Sequence, residues 1–220
     1  MGVGNYACQI IIMKTVAIVA GGTLDTTLLP EIQKQTKTIG VARGAWWLLE
    51  HRIIPDYAIG DFDSVSVEEM KKIKDASPNV VQYEAEKNET DLELAVQLAI
   101  SLDFDRILII GSIGSRMDHS LAGIFLLEQF EDKQIEIIDT NNRIQLITKT
   151  TTIVHDPFFQ YCSFLPLTYR AVISLEGFKY PLQSHTVYRN KTLCISNEFE
   201  SKKAKIIVHE GKIVCIQSSG

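Results

Sequence analysis

Three groups of carboxylate-bearing residues follow short apolar runs in the first 120 positions of the chain. They are residues 60–64 (GDFDS), residues 90–95 (TDLELA) and residues 111–119 (GSIGSRMDH). Carboxylates gathered in one place repel one another unless a cation lies between them. Oxygen ligands of this kind suit Mg²⁺, which binds together with substrate phosphates. The three clusters therefore predict an enzyme that handles a metal–nucleotide complex.

The first cluster contains two aspartates that are two positions apart. In an extended segment alternate side chains point to the same side, so Asp61 and Asp63 would face one ion while Phe62 points into the core. An ordinary acidic turn after a strand accounts for the same residues without a metal. The pattern alone leaves both interpretations open.

The second cluster carries a helix-start signal as well as a carboxylate. Thr90 and Glu93 have the spacing of a capping box, and Asp91 in the first turn would complement the helix dipole. These roles require no catalysis. A carboxylate at a helix N-terminus is also well placed to meet a metal, so Asp91 is a candidate ligand.

The third cluster combines glycines with a cation. Gly111 and Gly114 lie between an apolar run and a predicted helix, where free backbone N–H groups can bind phosphate. Arg116 offers a planar guanidinium group to phosphate oxygens. A glycine-rich turn with a surface arginine is the alternative interpretation.

The same cluster contains two weaker signals. Ser115 and Asp118 have the spacing of another capping box. The following residue, His119, is more consistent with a structural role or a secondary contact than with a general base.

Strand and helix patterns alternate through the first two-thirds of the chain, and these elements must position the clusters. Residues 106–110 (RILII) are continuously apolar after Arg106, as buried parallel strands are. Residues 65–76 predict a helix that begins with a Ser66–Glu69 capping box, and apolar residues recur at helical spacing over residues 92–100. The alternation predicts an α/β fold with a mostly parallel sheet and helices on both of its faces.

The pattern changes near residue 145, after which short β-rich runs replace the helical ones. Turn residues separate these runs, which include Thr192–Ser196 and Lys205–His209. Such spacing is typical of a small antiparallel sandwich or barrel. We therefore expect an α/β domain over residues 13–145 and an all-β domain over residues 146–220.

The composition is that of an ordinary globular protein, with 45% hydrophobic and 22% charged residues among 220. The formal net charge is −5 and the chain has no Lys/Arg run, so nothing indicates a nucleic-acid partner. No apolar run approaches the roughly 20 residues that span a bilayer. We therefore expect neither nucleic acid nor a membrane as a partner.

The four cysteines are far apart and show no zinc-binding spacing. We expect free thiols in a reducing cytoplasm at Cys8, Cys162, Cys194 and Cys215. The segment before Met13 lacks a basic region and a cleavage site, so no signal peptide is expected. Met13 is an alternative natural start.

In this order and spacing, the three clusters resemble the thiamine pyrophosphokinase family. The resemblance runs from about Met13 to Gly220 and includes Pro55-Asp56 before the first cluster. Three C-terminal segments match the family's thiamine-binding β domain: residues 163–167 (SFLPL), 177–182 (GFKYPL) and 196–198 (SNE). A generic nucleotide-binding fold would not supply these segments.

The resemblance implies an enzyme that transfers pyrophosphate from ATP to the hydroxyl group of thiamine with Mg²⁺, leaving AMP. It implies a homodimer, with thiamine bound near the subunit boundary. It also implies that residues 13–145 are the catalytic domain and residues 146–220 the thiamine-binding domain.

The resemblance further assigns roles to individual residues. Mg²⁺ and the ATP phosphates would be held by three aspartates, which are Asp61, Asp63 and Asp91. Ser64, Thr90, Arg116 and Asp118 would complete the nucleotide site, beside Gly111, Gly114 and His119. Catalysis would rest on the three aspartates together with Arg116 and Asp118. The residues near thiamine would be Tyr180, Ser196 and Asn197.

The chain departs from the family pattern at five positions. Ala42 stands where the family usually has an aspartate, and Gly123 where an asparagine is common. Ser115 replaces a usual glycine, and Asn88 and Glu89 replace the more usual aspartate and glutamine. Ala42 cannot make the polar contact near the nucleotide or thiamine that the family pattern implies for an aspartate at this position. The three main aspartates are intact, so an active enzyme is still expected.

Two other classes of protein fit part of the pattern. A metal-dependent glycosyltransferase would bind a nucleotide sugar through Asp61 and Asp63, but the thiamine-like β segments argue against it. A non-catalytic thiamine- or nucleotide-binding protein would be consistent with the alanine at position 42.

Overall fold

The computed structural model describes residues 13–220, so the expectations for Cys8 and for a signal peptide lie outside the described residues. Six parallel strands form the N-terminal part of a twisted sheet in the order β4-β3-β2-β1-β5-β6. They are β1 (Thr15–Val19), β2 (Lys37–Val41), β3 (Tyr57–Gly60), β4 (Asn79–Gln82), β5 (Arg106–Ile110) and β6 (Gln134–Ile138). The predicted α/β fold class is confirmed.

Five helices connect these strands and cover both faces of the sheet. They are α1 (Leu29–Gln33), α2 (Arg43–Glu50), α3 (Val67–Ala76), α4 (Asp91–Ser101) and α5 (Met117–Gln129). The predicted capping box at the start of α3 is present, since Ser66 Oγ accepts from Glu69 N at 3.2 Å and Ser66 N donates to Glu69 Oε2 at 2.8 Å.

Strand β1 shows why the sheet needs helices on both sides. Its side chains alternate between the two faces, and residues 16–19 are fully buried. Val16 and Ile18 pack on the side of α4 and α5, whereas Ala17 and Val19 pack on the side of α1 and α2. An apolar strand of this kind is stable only when both faces are covered.

The strand order reverses between β1 and β5. From β1 the chain proceeds outward through β2, β3 and β4, and α4 then carries it back to β5 on the other side of β1. In open α/β sheets, ligands bind at the carboxyl ends of the strands at such a switch point. The second cluster forms the start of α4, and the third follows β5 at this switch point.

Seven antiparallel strands complete the fold. They are β7 (Asn142–Ile147), β8 (Thr151–Val154), β9 (Tyr161–Pro166), β10 (Arg170–Glu176), β11 (Leu182–Tyr188), β12 (Lys203–Glu210) and β13 (Ile213–Ser218). Strands β7, β13 and β9 extend the large sheet to nine strands, while β11-β10-β12-β8 form a second sheet. Phe164, Phe178 and Ile206 belong to the buried core between them. The predicted sandwich is confirmed.

The large sheet runs through the predicted domain boundary, because β7 pairs with β6 on one side and with β13 on the other. The division at residue 145 stays a prediction. One predicted strand, Thr192–Ser196, is wrong, and β11 is the strand that takes its place. Cys194 (φ 76°) and Ser196 (φ 56°) adopt left-handed conformations, which interrupt an extended strand.

Within residues 13–220, no helix is both long enough and apolar enough to cross a membrane. Of the cysteines in this part of the chain, Cys162, Cys194 and Cys215 are all free.

Candidate active site

A cleft of about 660 Å³ lies at the carboxyl ends of the parallel strands. It brings together nine of the predicted site residues: Asp61, Asp63, Ser64, Thr90, Asp91, Gly111, Gly114, Arg116 and His119. Four predicted residues do not line it: Asp118, Tyr180, Ser196 and Asn197. The cleft therefore joins residues from all three clusters but from none of the C-terminal segments.

Two glycine-containing loops form one wall of the cleft, and they follow β1 and β5 on either side of the switch point. Gly22 N donates to Gly111 O at 2.7 Å, and Thr23 N donates to Ile113 O at 2.9 Å. A Cβ atom at Gly22 would lie 2.4 Å from Gly111 O, so this contact requires glycine. Sequence reasoning did not assign Gly22 and Thr23 to the site, although Gly-Gly-Thr after a buried strand was an available signal.

The first cluster forms a tight turn rather than the extended segment that the sequence suggested. Phe62 has a φ of 60°, and Asp63 N donates to Asp61 Oδ1 at 3.1 Å. The Phe62 side chain is only 5% exposed and packs in the core near α2 and α3, as predicted. The buried ring thus anchors a turn whose two carboxylates both line the cleft.

The second cluster places Asp91 against the end of β3. Asp61 N donates to Asp91 Oδ2 at 3.4 Å, and a Cβ atom at Gly60 would lie 2.9 Å from the same oxygen. Thr90 caps α4 by accepting from Glu93 N at 3.2 Å. The reciprocal half of the predicted capping box is replaced, because Glu93 Oε1 accepts from Gln129 of α5 at 2.6 Å instead.

Lys87 is a cleft residue that sequence reasoning missed. Its Nζ atom lies 2.8 Å from Asp91 Oδ1 and 3.7 Å from Asp61 Oδ2. Burial opposes the charge, but attraction to Asp91 and Asp61 outweighs it, so the pKa of Lys87 is raised above its ordinary value. The i,i+4 spacing to Asp91 was the only sequence signal, and it is a weak one outside a helix.

The fit of a divalent cation can be judged from these carboxylates. Among residues 13–220, no group of three or more His, Cys, Asp and Glu side chains is gathered closely enough to hold a metal ion. Asp91 Oδ1 is nevertheless buried, and the contact that balances its charge is the ion pair with Lys87. A buried carboxylate oxygen beside Asp61 and Asp63 fits a hard cation such as Mg²⁺.

The third cluster begins α5 in a different way from the one predicted. The N-cap is Arg116 and not Ser115, so the Ser115–Asp118 capping box is wrong by one residue. Ser120 satisfies the turn instead, because its Oγ accepts from Gly114 N at 3.1 Å and donates to Arg116 O at 3.0 Å. Ser120, a residue within α5, therefore holds the turn, and the Arg116 side chain makes no capping hydrogen bond.

The Arg116 side chain pairs with Asp118 on the exposed rim. Arg116 Nη2 donates to Asp118 Oδ2 at 2.6 Å, and Nε donates to Oδ1 at 3.3 Å. The hydrogen bonds from Arg116 hold the pKa of Asp118 below its ordinary value. Arg116 lines the cleft and Asp118 does not, so this ion pair links the cleft to the exposed rim.

Ala42 lines the cleft at a sharp turn between β2 and α2. Its φ of 44° and ψ of −111° are unusual for a residue with a side chain. The flanking glycines are required, since a Cβ atom would lie 2.4 Å from Ala45 Cα at Gly40 and 2.0 Å from Val19 O at Gly44. Strained strand-to-helix turns of this kind project one side chain above the sheet. Here the projected side chain is a methyl group.

The three C-terminal residues predicted near thiamine lie together on two neighbouring loops. Asn197 is only 2% exposed, and its side chain accepts from Tyr180 N at 3.0 Å and donates to Tyr180 O at 2.9 Å. Ser196 N donates to Ser163 Oγ at 3.0 Å. Tyr180 itself is exposed. Asn197 thus fixes the loop that presents Tyr180.

Models of two protein-family domains match this chain. The domain described as thiamin pyrophosphokinase, catalytic domain, matches residues 29–138. The domain described as thiamin pyrophosphokinase, vitamin B1 binding domain, matches residues 150–213. The curated thiamine pyrophosphokinase of Bacillus subtilis is 38% identical over 215 residues, which cover 94% of this chain and 100% of that protein.

Solved structures give the same result over the same length. The crystal structure of thiamine pyrophosphokinase from Bacillus subtilis has a TM-score of 0.86 and 37% identity, covering 94% of this chain and 100% of its own. That of thiamin pyrophosphokinase from Geobacillus thermodenitrificans has a TM-score of 0.86 and 34% identity, covering 94% and 98% respectively.

Proposed function

The chain belongs to the thiamin pyrophosphokinase family, and from that premise we propose that its cleft transfers a pyrophosphoryl group from ATP to the hydroxyl group of thiamine. It is thus a transferase, with thiamine pyrophosphate and AMP as the products. The observation that carries the proposal is the convergence of all three clusters on one cleft at the switch point of the sheet.

The ATP phosphates bind along the wall formed by the loops after β1 and β5. Gly111 and Gly114 line this wall near the start of α5, where the helix dipole favours anions. Arg116 adds a planar cation that Asp118 holds in place. Ser64, Thr90 and His119 line the same cleft and complete the nucleotide site.

Asp61, Asp63 and Asp91 are the residues that would hold Mg²⁺. Two observations support this assignment. Asp91 presents a buried carboxylate oxygen, and the turn after β3 places the Asp61 and Asp63 carboxylates in the lining of the cleft. When bound, Mg²⁺ supplies charge neutralisation on the phosphate oxygens and orients them for in-line displacement.

The reaction forms a bond from the thiamine oxygen to the β-phosphorus and breaks the bond from that phosphorus to the AMP oxygen. Most of the acceleration comes from positioning and electrostatics, as in other phosphoryl transfers. The proton of the thiamine hydroxyl passes to an acid residue near the cleft. Asp118 is a weak proton acceptor because Arg116 lowers its pKa. Asp91 is the other candidate acceptor, and it lies inside the cleft.

The positions of the residues predicted to bind thiamine support a homodimer. Within residues 13–220 of one chain, the cleft is lined by residues between positions 20 and 123. Tyr180, Ser196 and Asn197 lie on the β-rich half and do not line it. A second copy that brings these loops to the cleft would complete the site, with thiamine between the subunits. The free thiols of Cys162, Cys194 and Cys215 are compatible with the reducing cytoplasm, where we place the enzyme.

One assay tests the reaction. The full chain is incubated with ATP, thiamine and Mg²⁺, and the products are identified by chromatography and mass spectrometry. AMP together with thiamine pyrophosphate is the expected result. ADP would indicate transfer of a single phosphoryl group, and the absence of product would indicate a binding protein; either result contradicts the proposal. Turnover of a nucleotide sugar would indicate a glycosyltransferase.

A further inference from the structure

Lys87 occupies a position that the proposed reaction does not account for. Its side chain is 15% exposed, and its ammonium group lies between two of the three carboxylates assigned to the metal. It also donates to Glu84 O at 3.2 Å, which ties it to its own loop. Its three oxygen partners are therefore Asp91 Oδ1, Asp61 Oδ2 and Glu84 O, and the first two belong to carboxylates of the cleft.

We propose that Lys87 is a built-in counter-ion for Asp61 and Asp91, which competes with the divalent cation for these carboxylates and weakens the binding of metal that arrives without a nucleotide. The proposal rests on the proposed function, because that function assigns the two carboxylates to Mg²⁺. In this role Lys87 is a positioning residue, because it acts through Asp61 and Asp91.

Charge and distance support the competition. Asp61 N donates to Asp91 Oδ2 at 3.4 Å, so the two aspartates are neighbours and their carboxylates would repel without a cation between them. Lys87 Nζ supplies that positive charge at 2.8 Å from Asp91 Oδ1, the oxygen that has no hydrogen bond. A metal ion bound to the same oxygen would meet a like charge at short range, so it binds more weakly than it would without the lysine.

The nucleotide changes this balance. ATP brings several negative charges into the cleft, so Lys87 gains a second anion to pair with when a metal–ATP complex enters. The cleft thereby favours the complex over the bare ion. This arrangement keeps Asp61 and Asp91 neutralised before substrate arrives and avoids an uncompensated pair of partly buried carboxylates.

The test measures the binding of Mn²⁺ alone, by isothermal titration calorimetry on the full chain without ATP or thiamine. Lys87→Met removes the charge and keeps most of the side-chain volume, and we expect it to bind Mn²⁺ at least about tenfold more tightly than the unmodified protein. Lys87→Arg retains the charge and should stay within about threefold of the unmodified protein.

A matched control separates this local effect from the change in net charge. Lys37→Met removes the same charge from an ion pair with Asp56, which is outside the cleft. We expect it to change the Mn²⁺ affinity by less than about twofold. Lys87→Met combined with Asp91→Asn should lose the tightening, because the contested carboxylate is gone.

The result that overturns the proposal is equal or weaker Mn²⁺ binding by Lys87→Met, which would make Lys87 an anchor for its loop. Failure of every variant to bind Mn²⁺ would overturn it as well. If Lys87→Met does not fold, Lys87→Gln carries the same test, with thermal unfolding as the readout: Mn²⁺ should raise its melting temperature more than that of the unmodified protein. The titrations contain no substrate, so they decide the role of Lys87 even if thiamine pyrophosphate is not the product.

Discussion

Buried polar groups have different roles in the cleft and in the two neighbouring loops that carry Tyr180 and Asn197. In the cleft, Asp91 Oδ1 is buried without a hydrogen bond and has only the Lys87 ammonium group beside it. In the loops, the side chain of Asn197 makes three hydrogen bonds, two as acceptor from Tyr180 N and Glu198 N and one as donor to Tyr180 O. The cleft leaves a carboxylate oxygen that a ligand can bind, whereas the loops use the amide group of Asn197 to hold their own conformation.

This difference separates groups that bind a ligand from groups that shape the surface around it. A buried polar atom without a hydrogen bond costs stability unless a neighbouring charge or a ligand compensates for it. Asn197 is buried and uses three of its four hydrogen-bonding positions on its own loops, so its side chain has little left to offer thiamine. We infer that the β-rich half contributes to substrate binding mainly through exposed side chains such as Tyr180, which Asn197 holds in place.

The largest effect should come from the cleft. Asp63→Asn removes one carboxylate with almost no change in shape, and we expect kcat/KM for thiamine to fall about a thousandfold, because a bound metal contributes several kcal/mol to the transition state. The side chain is exposed, so the melting temperature should change little. Steady-state kinetics at saturating Mg²⁺ and thermal unfolding measure the two quantities.

Asp75→Asn is the matched control, since Asp75 is an exposed aspartate on α3 that does not line the cleft. It should leave the kinetics unchanged. Near-normal turnover of Asp63→Asn would remove Asp63 from the metal site.

The next effect should come from the loops and should appear first in stability. Asn197→Ala deletes three hydrogen bonds from a buried side chain, each worth about 1 kcal/mol, so we expect a loss of about 3 kcal/mol in the free energy of unfolding. In a chain of this size that corresponds to a melting temperature lower by roughly 6–12 °C. Because the loop carrying Tyr180 loosens, KM for thiamine should rise more than kcat falls.

Asn190→Ala provides the comparison, because Asn190 is exposed in a nearby turn. It should shift the melting temperature by no more than about 2 °C. If Asn197→Ala melted like the control but lost turnover, Asn197 would belong with the ligand-binding groups and the contrast between the two regions would fail.

The smallest effect should come from backbone strain in the cleft. Ala42→Gly places glycine at a φ of 44° and a ψ of −111°, which relieves strain of about 1–3 kcal/mol at the cost of added freedom in the unfolded chain. We expect a net gain of about 1 kcal/mol, or a melting temperature higher by roughly 2–4 °C.

An alanine-to-glycine substitution at position 45, three residues later, should change the stability in the opposite direction. Ala45 lies within α2 and is fully buried, so Ala45→Gly should lower stability by about 1 kcal/mol or more. A destabilised Ala42→Gly variant would show that the turn between β2 and α2 is not strained.

Local signals in the sequence were sufficient for much of the fold. Strand β5 has the predicted bounds Arg106–Ile110, and α3 starts at the predicted Ser66–Glu69 capping box, because both depend on neighbouring residues. The predicted strand Thr192–Ser196 failed because left-handed residues at positions 194 and 196 are not visible in a β-rich composition. The capping box at Ser115 failed for a similar reason, since Ser120 competes for the same backbone groups from inside α5.

The sequence by itself determined the class of the fold, the family and most of the acidic and glycine residues that meet in the cleft. These features depend on residue type and on order along the chain, and both are written in the sequence. Only the tertiary structure decided which groups remain unsatisfied. The ion pairs of Lys87 with Asp61 and Asp91, the bonded state of Asn197 and the strain at Ala42 arise when loops meet in space. Burial and distance set the energy of such contacts, and neither is a property of the chain before it folds.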